Sequence, residues 1–121
     1  MENRRKLLLK LLNIYCYLTD EAGSDEIYLI VNNQKIWPVD RTFHQIRPGR
    51  TTILVELKEY DPGTPLDIEV WDYDYLSRND LLGIFPILLD EPGGPYLTDM
   101  RQNRMETRKA RYSIEWELDY L

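Results

Sequence analysis

Three of the four aspartates in the segment "DIEVWDYDYLSRNDLLG", residues 67–83, border one turn. Asp72 and Asp74 are two positions apart, so in extended backbone both side chains point the same way. Asp80 follows the intervening turn and can face them from the returning strand. Carboxylates that converge in this way repel one another unless a cation neutralises them. The spacing therefore predicts either a site for a hard cation, calcium above magnesium because calcium accepts an irregular oxygen cage, or a turn that uses aspartates for local hydrogen bonds.

The composition favours one β-rich domain with a substantial core. The chain has 121 residues, 43% of them hydrophobic, with nine tyrosines and three tryptophans, and aromatic residues are typical of strands. This length suits one compact domain, which we expect to span residues 1–121 with a core between about residues 7 and 119. The net charge of −6 disfavours nucleic acid as a partner, because the phosphate backbone attracts basic proteins.

Seven segments show the pattern of β-strands and are separated by turn residues. They cover residues 9–18, 28–31, 35–37, 50–60, 66–72, 81–89 and 111–121. The last segment alternates most clearly and places on one face Tyr112, Ile114, Trp116, Leu118 and Tyr120. Residues 91–110 are predicted to form a long connection. Short consecutive strands predict an all-β fold, a single antiparallel β-sandwich of about seven to eight strands.

A second acidic segment, "LTDEAGSDEIYLIV", presents Asp20 and Asp25 just before a strand. In an antiparallel sandwich this loop can lie at the same end as Asp72. Together the two segments resemble the C2 domain family. Its first loop carries a glycine-containing turn and Ser-Asp before a strand, as in Gly23-Ser24-Asp25-Glu26-Ile27-Tyr28 here. Its third loop carries Val-Trp/Tyr-Asp-x-Asp and then an Asp before Leu-Gly, which "VWDYDYLSRNDLLG" matches.

The resemblance implies a calcium site made by the carboxylates of both loops. The implied ligands are Asp20, Asp25, Asp72, Asp74 and Asp80. Glu21 is an alternative to Asp20, because it can reach from the same loop. Many C2 domains bind phospholipid head groups through calcium held between these loops, and others bind proteins instead. Two functions follow: calcium-dependent binding to an anionic membrane surface, or a protein-interaction or structural subunit of a larger assembly, with calcium only stabilising or absent.

The tip of the third loop offers three residues to a membrane. Tyr75 and Leu76 could enter the interface, with Arg78 near anionic head groups. The alternative for Tyr75 and Leu76 is packing on the neighbouring loop. A basic stretch could also meet anionic lipid or remain solvated loop charge. It comprises Arg101, Arg104, Arg108, Lys109 and Arg111.

Catalysis is disfavoured by the residue types present. The single histidine, His44, lies in a polar connection, and no nucleophile stands at a spacing typical of a catalytic pair. The single cysteine, Cys16, lies in the apolar run "NIYCYL", where a buried thiol is expected.

No stretch could span a bilayer, and the basic start lacks the cleavage site of a signal peptide. We therefore expect a soluble, non-enzymatic protein of the cytoplasm, peripheral to the membrane if lipid is its partner.

Overall fold

The computed structural model describes residues 5–103 and 108–121, and these residues contain ten β-strands. The strands are β1 (Leu7–Leu18), β2 (Asp25–Val31), β3 (Gln34–Trp37), β4 (His44–Ile46), β5 (Gly49–Tyr60), β6 (Thr64–Asp72), β7 (Asp80–Leu89), β8 (Gly93–Asp99), β9 (Arg101–Gln102) and β10 (Arg111–Tyr120). Each of the seven predicted segments forms a strand, and the predicted antiparallel β-sandwich is confirmed. The described residues contain ten strands rather than the predicted seven to eight, because β4, β8 and β9 were not predicted.

The strands form two antiparallel sheets that enclose an apolar core. The first sheet has the order β5-β1-β10-β8, and the second has the order β3-β2-β6-β7-β9, with β4 paired to the start of β2. Buried and partly exposed residues alternate along β2 and β6, which directs every second side chain between the sheets. Leu9, Ile14, Ile68, Phe85 and Ile114 have no exposed surface.

The predicted long connection at residues 91–110 is wrong in part, because it contains β8 and β9. β8 forms the edge of the first sheet, and most of its residues are exposed. Without a buried face it lacks the alternating hydrophobicity that marks a strand in a sequence. Besides its backbone pairing, it is held by Trp116, whose ring packs 4.7 Å from that of Tyr96 and whose Nε1 donates to Thr98 at 2.9 Å.

Tyr120 departs from the predicted buried face of β10, since it is 48% exposed. The other four residues expected on that face, Tyr112, Ile114, Trp116 and Leu118, are buried. Tyr120 pairs with Leu7, the first residue of β1, so the sheet beside it ends there. The Arg5 guanidinium lies 4.3 Å from the Tyr120 ring centroid.

One end of the sandwich gathers the acidic segments. The end of β1 pairs with the start of β10, and the start of β2 pairs with the end of β6. The β1–β2 and β6–β7 connections therefore lie at the same end, together with residues 108–110. We call this the loop end. Within the described residues, no helix has the length and apolar character needed to cross a membrane.

Candidate functional site

The loop end is built around the carboxylate of Asp25, which has no exposed surface. Asp25 begins β2 and follows the β1–β2 connection, whose backbone turns toward it. The N–H groups of Asp20 and Glu21 donate to the Asp25 carboxylate at 2.9 and 3.0 Å. The Tyr112 hydroxyl donates a third, short hydrogen bond from β10. These donors offset the cost of burying an acid, and they tie the loop to both sheets.

Asp72, the last residue of β6, is 3% exposed and lies beside the start of β2. Its Oδ1 accepts the Glu26 N–H at 2.9 Å. Burial raises the pKa of Asp72 to about 7, against the effect of this hydrogen bond, and the charges of Glu21 and Asp25 raise it further. A nearby cation would favour the ionised form of this carboxyl.

Glu21, Asp25 and Asp72 form a three-carboxylate cluster, in which one oxygen of each lies within 4.8 Å of the others. Asp25 and Asp72 are buried, and Glu21 is exposed. The pKa of Glu21 is raised mainly by desolvation and, to a smaller extent, by the charges of Glu26 and Asp25. The atoms that could bind a metal are all carboxylate oxygens, and their negative charges repel one another. They come from the β1–β2 and β6–β7 connections or from the strand ends beside them. This chemistry fits a hard divalent cation such as calcium.

Asp74, a predicted ligand, lies outside the three-carboxylate cluster and stabilises its own turn. Its Oδ1 accepts the Leu76 N–H and its Oδ2 accepts the Ser77 hydroxyl, both at 2.8 Å. These hydrogen bonds lower the pKa of Asp74. The side-chain oxygen of Asn79 accepts the Asp74 N–H at 2.8 Å and closes the turn. In this conformation Asp74 has the turn role that was the alternative to a ligand role.

The other two predicted ligands, Asp20 and Asp80, are joined by Arg108. Its Nη1 lies 3.1 Å from Asp20 Oδ2, and its Nη2 lies 3.1 Å from Asp80 Oδ1. The Lys109 N–H donates to Asp20 Oδ1 at 2.8 Å. The basic stretch was interpreted as facing lipid or solvent, but the Arg108 side chain is only 16% exposed and is directed at the loop end. Arg104 of the same stretch lies outside the described residues.

Sequence reasoning missed the roles of Tyr112 and Arg108. Tyr112 follows the core pattern of β10, so nothing in the pattern distinguishes its hydroxyl from an ordinary core group. For Arg108 a signal existed in the charge distribution, because residues 100–111 hold five bases and one acid. Such a segment complements the acidic loops if the fold brings them together.

The tip of the β6–β7 connection carries the residues predicted to face a membrane. Leu76 is 96% exposed and Tyr75 is 72% exposed. The Tyr75 ring also meets Phe43 and Tyr73 edge-on, at centroid distances of 5.8 and 5.0 Å. Tyr75 thus packs on the neighbouring connection while most of its surface stays open. Arg78 is exposed on the same turn.

The two residues considered for catalysis have packing roles. The His44 ring lies 5.1 Å from the Trp37 ring, and burial, followed by the charge of Arg41, lowers the pKa of His44. Cys16 is buried, as expected, and burial raises the pKa of its thiol. A raised pKa leaves little of the reactive thiolate.

Replacement of Tyr112 with Phe tests the role of its hydroxyl. The variant keeps the ring and leaves the Asp25 carboxylate without one donor, so we expect it to lose about 2 kcal/mol of unfolding free energy, a typical value for a hydrogen bond to a charged group. Urea unfolding in the presence of a chelator measures the change. Tyr120→Phe, at an exposed position, is the matched control, and equal stability of the two variants would contradict the assignment.

The raised pKa of Asp72 predicts a pH-dependent effect of Asp72→Asn in metal-free buffer. The pKa of Asp72 in the folded protein is about 7, above the ordinary value of 3.8. Protonated Asp72 therefore contributes its full stability to the fold below the ordinary value, and this contribution is lost as the pH rises through 7. Asn cannot ionise. We therefore expect the variant to be more stable than the parent at about pH 8, with the difference in unfolding free energy shrinking toward about pH 5.

Asp67→Asn is the control for this pH series, because Asp67 is an exposed residue of the same strand. A difference between Asp72→Asn and the parent protein that does not change with pH would show that Asp72 keeps an ordinary pKa in the folded protein.

Solved C2 domains share the architecture described above. A C2 domain of plant extended synaptotagmin 1 aligns with a TM-score of 0.57 and 13% identity, over 100% of this chain and 98% of that chain. A second structure, described as a C2 domain, aligns with a TM-score of 0.56 and 14% identity, over 95% of this chain and 98% of that chain. No protein-family model and no curated protein sequence matches the chain. The likeness concerns the fold, and the chain has the fold of a C2 domain.

Proposed function

We propose that this chain is a non-catalytic binding module whose loop end holds calcium and meets an anionic membrane surface. The observation that carries the proposal is the three-carboxylate cluster, in which Glu21, Asp25 and Asp72 converge within 4.8 Å. Two of these acids are buried, and the pKa of Asp72 is raised to about 7. Such an arrangement is costly without a cation.

The acidic residues of the loop end would have two different roles in binding calcium. Asp25 is preorganised by its hydrogen bonds, and Asp72 and Glu21 supply oxygens at its side. Calcium takes six to eight oxygen ligands, so Asp20, Asp74 and Asp80 are the nearby carboxylates that would complete the shell, along with water. Bound calcium would supply positive charge at an end that is otherwise acidic.

The tip of the β6–β7 connection supports a membrane as the partner. Leu76 and Tyr75 expose an apolar side chain and an amphipathic ring, a pair suited to the membrane interface. Arg78 adds a positive charge that favours anionic lipid. The acidic cluster would repel such a surface, so neutralisation of the cluster makes membrane binding depend on calcium.

A protein-interaction or structural subunit is the second candidate function, and two observations favour it. Arg108 already pairs with Asp20 and Asp80, so part of the loop end is neutralised without calcium. The edge strand β8 exposes Tyr96 and Leu97, which are 44% and 57% exposed. An edge strand offers backbone groups for pairing with another chain.

Calcium is expected to raise the thermal stability of the chelator-treated protein. A ligand that binds only the folded state adds about 2.7 kcal/mol at a hundredfold excess over its dissociation constant. Asp72→Asn should abolish this calcium-induced shift, whereas Asp67→Asn, the same change at an exposed position of the same strand, should retain it. Thermal unfolding with calcium or magnesium added measures the shift. No shift at millimolar calcium in the parent protein would contradict the calcium proposal.

The membrane proposal predicts that the protein pellets with phosphatidylserine-containing vesicles only when calcium is present. Replacement of Tyr75 and Leu76 with Ser should reduce the pelleted fraction toward the level without calcium, because it removes the apolar tip. Leu88→Ser is the matched control, since Leu88 is 59% exposed near the opposite end of β7. A stability shift with calcium but no pelleting would favour the second candidate function.

A further inference from the structure

Arg108 joins two connections that are distant in sequence. Its guanidinium contacts Asp20 of the β1–β2 connection and Asp80 at the start of β7, each at 3.1 Å. The side chains of Arg108 and Asp20 are 16% and 10% exposed, and that of Asp80 is 34% exposed. Charge-assisted contacts of this kind are stronger than those at an open surface, because water screens them less.

The two acidic residues held by Arg108 are joined through the backbone to members of the three-carboxylate cluster. The Asp20 N–H donates to the Asp25 carboxylate at 2.9 Å. Asp80 is the register partner of Asp72 in the β6–β7 pair. Arg108 therefore pairs with one backbone neighbour of each buried member of the cluster.

We propose that Arg108 is a built-in cation that sets the affinity of the loop end for divalent metal by competing for Asp20 and Asp80. The proposal rests on the calcium site of the proposed function. Calcium needs six to eight oxygens, and the cluster supplies only three carboxylates. Recruitment of Asp20 or Asp80 requires the Arg108 ion pairs to open.

Electrostatic repulsion between Arg108 and a calcium ion would weaken calcium binding, as the competition for ligands does. A guanidinium beside the cluster repels a divalent ion and stabilises the ion-free state by pairing with two acids. Loss of the Arg108 charge should therefore tighten calcium binding even though it weakens the ion-free fold. A merely structural arginine would behave differently, because its removal would loosen the loops and weaken calcium binding.

Calorimetric titration of the chelator-stripped protein with calcium chloride tests the proposal. We expect Arg108→Gln to bind calcium about tenfold more tightly than the parent protein. Arg111→Gln, which removes an exposed arginine at the start of β10, is the matched control and should keep the parent affinity. Arg108→Lys keeps the charge but loses the planar fork that spans two carboxylates, so its affinity should fall between those of Arg108→Gln and the parent.

The outcomes separate this proposal from the calcium site itself. If the parent binds calcium and Arg108→Gln binds it equally or more weakly, competition by Arg108 is overturned and the calcium site stands. If only Arg108→Gln binds calcium, competition is supported and a calcium function of the parent is overturned. If neither binds calcium, both are overturned. Should Arg108→Gln fail to fold, Arg108→Lys decides, since an affinity no tighter than that of the parent would overturn the proposal.

Discussion

The buried carboxylate of Asp25 is the constraint on which the loop end depends. A charge without exposed surface needs donors close at hand, and Asp25 obtains them from the backbone of the β1–β2 connection and from Tyr112 of β10. The same donors that satisfy the acid also fix the course of the connection. The position of Glu21 follows from this, because its N–H is one of the donors. The accommodation of this buried acid thus places the backbone of Glu21 at the candidate cation site.

The other acids of the loop end differ in the groups that satisfy their carboxylates. Asp74 is satisfied by its own turn, and Asp20 and Asp80 are satisfied by Arg108. Asp72 accepts a backbone N–H, and burial raises its pKa to about 7. Among the described residues of the loop end, Glu21, Asp25 and Asp72 are the carboxylates that converge within 4.8 Å of one another. The calcium response that we propose depends on this difference between acids that are paired internally and acids that converge.

The tip of the β6–β7 connection and the three-carboxylate cluster are joined by a short stretch of backbone. The turn that Asp74 stabilises is the turn that presents Tyr75 and Leu76. Its aromatic contacts with Phe43 and Tyr73 hold the Tyr75 ring against the neighbouring connection, which limits the conformational entropy that the tip would lose on binding. Two residues, Tyr73 and Asp74, separate Asp72 of the cluster from Tyr75 at the tip.

The sequence by itself determined the architecture and the location of the acidic end. Strand periodicity in segments such as residues 66–72 and 111–121 reflects burial on one face, which is a local property of the chain. The acidic motifs are also local, so the sequence pointed to Asp25 and Asp72 as candidate ligands, and both lie in the three-carboxylate cluster. The edge strand β8 was hidden, since it has no buried face to impose a pattern. Only the tertiary structure decided that Glu21 joins the cluster and that Asp20 and Asp80 pair with Arg108. Those pairings join residues up to 88 positions apart, and a contact across such a distance depends on the packing of the two sheets rather than on any local preference.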